Sequence, residues 1–220
     1  MLKVRVFDLC GTLINENTTF KFVRYCLLKE KKWIRLIIFY LATSVLGKTV
    51  NRFGSLFKII GDREIILLLL KGFSLGKLSS HSKDYVEKAI ESNSNDLVMD
   101  FYNAHIGDFG VTHVIASASI DIVVKEFSNR LHADSYIASK LEFVAGKCTG
   151  KLVEKYDTKG KKQDFLHFKS YYQLVTDNYD DIEASKRAQE FYVVCDSGSK
   201  DNWLRMTKKE NVSVKEFFER

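Results

Sequence analysis

The first segment, Leu2 to Leu9, reads as a short strand broken at once by Cys10-Gly11-Thr12. From Thr18 to about His105 the period becomes helical. Phe20, Val23, Leu27 and Leu28 keep the spacing of one helix face, Val50, Phe53, Phe57 and Ile60 repeat it, and Tyr85, Ala89 and Ile90 open a third amphipathic stretch. Gly47, Gly54, Gly61, Gly72 and Gly76 supply breaks, with Asp62 placed to cap a helix over Arg63 to Lys71. After Gly107 and Gly110 the period changes again. Val111 to Ser117 is a β-branched run and Asp121 to Leu131 is helical. Tyr136 to Val153 alternates around Gly146 and Gly150 as a hairpin or two short strands would. Lys159 to Val175 reads as a helix, Phe191 to Cys195 as a buried strand, and Val212 to Val214 as a last short strand. Strands alternating with helices predict an α/β fold, a three-layer Rossmann-like core around a parallel sheet. The helical block after the first strand reads as an insertion, which divides the chain into a core of residues 1–14 and 106–220 and an all-helical cap of residues 15–105.

Composition narrows the class. With 220 residues, 45% hydrophobic and 28% charged, the chain is globular rather than disordered or collagen-like. It holds no proline, so Gly, Asn, Asp and Ser must punctuate the fold. The four cysteines form no C-x-x-C pair and have no histidine at metal spacing, which argues against a structural zinc site or a disulfide framework. No apolar signal segment opens the sequence, and the longest apolar run, Leu36 to Leu46, is too short to cross a bilayer. The chain therefore reads as cytoplasmic. Charge is unevenly placed: residues 21–58 carry nine Lys or Arg against the single acid Glu30, within a net charge of +6. Such a block attracts phosphates or an anionic membrane surface, and a solvated helix face is the plain alternative. No nucleic-acid-binding motif is readable, so no nucleic-acid partner is expected.

Three strands end in acidic or hydroxyl residues: Phe7-Asp8, Ala116-Ser117 and Cys195-Asp196. Open parallel sheets bind ligands at the carboxyl ends of their strands, so Asp8, Ser117 and Asp196 would share one crevice if those strands are neighbours. Two carboxylates meeting there repel unless a cation holds them, and hard oxygen ligands suit Mg2+, which brings a phosphate with it. Any one of these aspartates could instead be a helix cap.

Taken in order, the motifs resemble those of the haloacid dehalogenase-like phosphohydrolases. Phe7-Asp8-Leu9-Cys10-Gly11-Thr12-Leu13 is similar to the first motif, Asp-x-Asp-x-Thr-Leu, and Val114-Ile115-Ala116-Ser117-Ala118-Ser119 to the second, an apolar strand ending in Ser or Thr. Lys162 in Gly160-Lys161-Lys162-Gln163-Asp164 resembles the third, and Asp196 to Asn202, with Asp196 and Asp201, the fourth. Cys148-Thr149-Gly150-Lys151-Leu152 resembles the stretch before that Lys in the phosphoserine-phosphatase-like branch, subfamily IB, whose members carry a C1-type helical cap. Arg24-Tyr25-Cys26-Leu27 and the basic, Trp-containing segment after it are also similar to the caps of bacterial phosphatidylglycerophosphate phosphatases, although those keep a second Asp in the first motif and have a longer membrane stretch.

The resemblance implies an Mg2+-dependent phosphohydrolase acting on a small phosphorylated metabolite through an aspartyl-phosphate at Asp8. It implies metal binding by Asp8, the Cys10 carbonyl, Asp196 and Asp201. It also implies phosphate binding by Ser117, Ala118, Lys162, Gly11 and Thr12, with Lys162 neutralising the transferred charge. The sequence departs from the family at Cys10, where an acid–base Asp is usual. A thiol is a poor proton relay. Three readings stay open: a substrate with a good leaving group, an acid supplied from elsewhere with His105 and His113 as the stand-ins to examine, or a phosphate-binding protein of weakened activity. A lipid phosphate taken at a membrane surface by the basic cap is a further alternative.

Overall fold

A computed structural model describes residues 3–44, 62–166 and 172–220 of the chain. The spacing read over Val50 to Ile60, the glycines 47, 54 and 61, the basic residues Lys48, Arg52 and Lys58, and His167 lie outside the described residues.

Strand β1 (Lys3–Phe7) starts a six-stranded parallel sheet. Among the described residues five helices follow before the sheet resumes: α1 (Thr18–Lys29), α2 (Trp33–Thr43), α3 (Asp62–Leu68), α4 (Leu75–Asn93) and α5 (Asp96–Asn103). The second half holds β2 (Val111–Ile120), α6 (Asp121–Arg130), β3 (Ser135–Ser139), the hairpin β4–β5 (Leu141–Val144 and Lys147–Leu152), α7 (Lys162–Phe165), β6 (Tyr172–Thr176), α8 (Ile182–Ser185), β7 (Glu190–Cys195), α9 (Lys200–Lys209) and β8 (Glu216–Glu219). The sheet order is β3-β2-β1-β6-β7-β8, every neighbour pair parallel.

The strands are apolar on both faces because each face is covered. Successive side chains of a strand point to opposite sides. Val4 and Val6 therefore join Val114, Leu174, Val193 and Trp203 in one cluster under α7, α8 and α9. Phe7 joins Ile115, Val175, Val194 and the inner residues of α1 to α6 in the other. The result is the α/β three-layer arrangement that the alternation of elements predicts.

Three sequence expectations change. The helix read over Lys159 to Val175 is a four-residue helix, Lys162–Phe165, followed by β6, which pairs with β1 and β7. Tyr172 to Thr176 is buried along its whole length, so it has no alternation, and a short apolar run of this kind cannot be told from buried helix by period. The last strand is Glu216–Glu219, not Val212–Val214. Finally, the alternating segment from Tyr136 splits, with β3 joining the main sheet while β4 and β5 form a separate hairpin. That hairpin leans on the helices between β1 and β2. Gly72 N–H donates to the Cys148 carbonyl, Cys148 N–H donates to Phe73, and Gly150, at a φ of 79°, leaves room for the backbone of Leu68. No helix among the described residues is long and apolar enough to cross a membrane.

Candidate active site

The chain reverses its direction of travel across the sheet at β1, which lies between β2 and β6, and ligands of such sheets bind outside the strand ends at that point. There a cavity of about 760 Å3 is lined by Asp8, Cys10, Ser117, Ala118, Lys162 and Asp177 from the sheet side. Phe20 of α1 and Arg63 of α3 line it from the helical side.

Asp8 is buried directly after β1. Its Oδ1 accepts from the Leu9 N–H at 2.7 Å and lies 2.9 Å from Lys162 Nζ. Lys162 is buried too, and its ammonium also meets Asp181 Oδ2 at 2.8 Å. Thr176 Oγ1 donates to Asp181 at 2.7 Å, so the end of β6 fixes the acid that holds the lysine. Burial pushes the Asp8 carboxyl up to about 7 against the pull of Lys162, with Asp181 and Asp177 adding to the rise. Burial alone would lower the Lys162 pKa, but Asp8 and Asp181 outweigh it and hold the ammonium charged.

Asp177 follows β6 and faces the same cavity. Its N–H donates to Thr12 Oγ1 at 2.9 Å, and Thr12 Oγ1 lies 3.3 Å from its Oδ1. Gly11, at a φ of 74°, makes the close approach possible: a Cβ there would sit 1.9 Å from Asp177 Oδ2. Burial also raises the Asp177 pKa, opposed by Arg220, whose guanidinium reaches Asp177 and the Gly11 carbonyl.

At the third edge the Cys10 thiol forms a triangle with two hydroxyls. Its Sγ lies 3.1 Å from both Thr18 Oγ1 and Ser119 Oγ, which are 2.6 Å from each other. Burial, then the charge of Asp8, raise the thiol pKa, so Cys10 is a neutral thiol at neutral pH.

The structure brings Asp8, Cys10, Ser117, Ala118 and Lys162 together as the sequence suggests. It does not bring Asp196 and Asp201 with them. Asp196 follows β7, and β6 separates that strand from β1. The Asp196 carboxylate is exposed and accepts from the Ser199 N–H at 2.8 Å in the turn that leads into α9, which also lowers its pKa. Asp201 is exposed on α9. Thr12 and Gly11 do not line this cavity: Thr12 is fully buried and its hydroxyl is used on Asp177. Neither His105 nor His113 reaches it. His105 faces Asp108, and His113 is stacked on Phe7 beside Tyr102 in the core. Sequence reasoning missed Asp177, Asp181, Thr18 and Arg63. For the first two a signal existed, since Leu174-Val175-Thr176-Asp177 is another apolar strand ending in an acid, with Asp181 four residues on.

Among the described residues no three His, Cys, Asp or Glu side chains are grouped to hold a metal by themselves. The donors that line the cavity are instead the Asp8 and Asp177 carboxylates together with Cys10, whose carbonyl accepts no hydrogen bond among the described residues. Two carboxylates with room for water suit Mg2+, which keeps part of its hydration shell.

Residues 6–184 match the family model described as HAD: haloacid dehalogenase-like hydrolase. No curated protein matches the chain in sequence. Among solved structures, a protein of unknown function from Bordetella pertussis Tohama I is 13% identical with a TM-score of 0.68, over 96% of this chain and 97% of that one. A phospho-aspartyl intermediate analogue of phosphoserine phosphatase is 21% identical with a TM-score of 0.57, over 99% and 93%. A substrate-bound phosphoserine phosphatase complex is 19% identical with a TM-score of 0.59, over 100% and 94%.

Proposed function

The chain belongs to the haloacid dehalogenase-like hydrolases, and from that premise we propose that it is an Mg2+-dependent phosphohydrolase that forms an aspartyl-phosphate at Asp8 on a small phosphorylated metabolite. The observation that carries this reading is the buried Lys162 ammonium held 2.9 Å from Asp8 and 2.8 Å from Asp181, facing Asp177 across one cavity.

Asp8 and Asp177, with the Cys10 carbonyl, would hold the metal in place of the Asp196 and Asp201 pair. Bound there, Mg2+ would screen the repulsion between the Asp8 carboxylate and an incoming phosphate. A carboxylate oxygen of Asp8 attacks phosphorus, and the bond from phosphorus to the leaving oxygen breaks with its electron pair. Lys162, Ser117 and the Ala118 N–H face the phosphoryl oxygens, with the fixed ammonium opposing the charge that develops on them. Asp181 and Thr176 keep that ammonium in position. Water then attacks the phosphorus of the aspartyl-phosphate, the Asp8 oxygen leaves, and inorganic phosphate is released.

Neither proton transfer finds a strong acid or base in Cys10, which is neutral and ringed by hydroxyls. Its substrates are therefore those whose leaving group departs as an anion: acyl, anomeric or anhydride phosphates, and aryl phosphates as reporters. General acid–base help is worth about 10²–10⁴-fold, and alkyl esters forgo it here. The helices between β1 and β2 act as a cap of residues 15–105 over a core of residues 1–14 and 106–220, and Phe20 and Arg63 are among the cap residues that line the cavity. Hydrolysis of an aryl phosphate with and without Mg2+, by the wild type and by Asp8→Asn, tests the proposal. Turnover that needs both supports it. No turnover on aryl, acyl or anomeric phosphates would instead make the protein a phosphate binder.

A further inference from the structure

Helix α2 turns two residues inward and a whole stripe outward. Leu36 and Phe39 are buried, whereas Ile34, Ile37, Ile38 and Leu41, at i, i+3, i+4 and i+7, share the opposite face. Ile34 is 78% exposed, Ile37 60% and Leu41 63%, and Trp33 at the start of the helix is 59% exposed. Scattered exposed apolar residues are ordinary, but a contiguous stripe led by a Trp marks a docking surface.

Charge identifies the occupant. Lys31 and Lys32 form the tight turn between α1 and α2, with Lys31 at a φ of 52°, and both are exposed immediately beside Trp33. No acid among the described residues pairs with either lysine. The single acid of residues 21–44, Glu30, is turned away from the stripe toward Lys77 and His81. We propose that α2 is a peripheral anchor that lies in the surface of an anionic bilayer, with the Ile34–Leu41 stripe and Trp33 in the acyl boundary and Lys31 and Lys32 against the headgroups. An eleven-residue helix is about 16 Å long, which suits lying in the interface and not spanning it. A second copy of the chain is the poorer occupant, because α2 carries no acid that could receive the unpaired lysines of the other copy. The inference stands on the surface of α2 and not on the chemistry read at Asp8.

The experiment uses the full chain with vesicles of phosphatidylcholine and vesicles of equimolar phosphatidylcholine and phosphatidylglycerol. Of its two tryptophans, Trp203 is 1% exposed, so a change in emission on vesicle addition reports Trp33. The expected result is co-sedimentation with the anionic vesicles, weakened by salt, with a blue shift that Trp33→Phe abolishes. Lys31→Ala with Lys32→Ala should lower the partition coefficient roughly thirtyfold, at about 1 kcal/mol for each lysine. Ile34→Glu with Ile37→Glu, both on exposed positions, should abolish binding while far-UV circular dichroism stays unchanged. Three results would overturn the proposal: no binding to anionic vesicles, binding indifferent to Ile34→Glu with Ile37→Glu, or a dimer in vesicle-free solution that those substitutions disperse.

Discussion

At Cys10 the side chain that would move protons in the usual first motif is a thiol inside a ring of hydroxyls, 3.1 Å from both Thr18 and Ser119. Those hydroxyls can donate to a carboxylate as readily as they share protons with sulfur, so the pocket is ready for the missing acid. Cys10→Asp should therefore raise turnover of alkyl phosphates by on the order of 10²-fold and change aryl phosphates much less, since these leave without protonation. A variant that gains no more on alkyl than on aryl substrates would mean that another group already serves. The same burial has a pH signature. A raised thiol pKa keeps the thiolate scarce until the solution is more alkaline than an unstructured cysteine requires. Iodoacetamide should modify Cys10 with a rate that climbs at higher pH than that of N-acetylcysteine in the same buffer. A midpoint below the free thiol's would contradict the neutral state on which the substrate class rests. The other three cysteines are buried and should stay unmodified in the folded protein.

Among the elements, the strand that decides the site is the one the sequence hid. Asp8 was legible because it directly follows β1, and Ser117 because the apolar run of β2 gives way there to small residues, although the strand continues past Ser117 to Ile120. Lys162 was legible as a basic residue opening a helix. By contrast, β6 is buried on both faces, and its period offered nothing to separate it from the helix before it. With that strand missed, the sequence reading took its acidic pair from the end of β7, at Asp196 and Asp201, and passed over Asp177 and Asp181 after β6, the strand next to β1. Thr18 escaped notice for a different reason: helix α1, not the sheet, carries it to Cys10, and nothing local in the sequence encodes that meeting. The reassignment is testable. Asp177→Asn should raise the Mg2+ concentration for half-activation by at least about tenfold. Asp196→Asn should leave it unchanged, because that carboxylate caps the turn into α9. The opposite ranking would restore the pair on β7.

Across the whole molecule, the cavity exists because two bodies of structure meet over the end of β1. The helices between β1 and β2 share one apolar cluster with the sheet face that carries Phe7, Ile115 and Val175. Arg63 of α3 ties them to the site, 2.7 Å from Asp157 and bonded to the Ala118 carbonyl at the end of β2. Burial of Asp8 and Lys162 beneath that junction strengthens the charge interaction between them. A weak base at Cys10 then slows the attack of water on the phosphoryl-enzyme more than it slows the first transfer from a good leaving group, so the covalent state should accumulate. The most direct measurement is the intact mass of the protein, acid-quenched during turnover of an acyl phosphate with Mg2+. The account predicts an added mass of one phosphoryl group, labile to hydroxylamine, mapped to Asp8, and absent without Mg2+ or in Asp8→Asn. Turnover with no such adduct in the wild type, or an adduct that persists in Asp8→Asn, would contradict it.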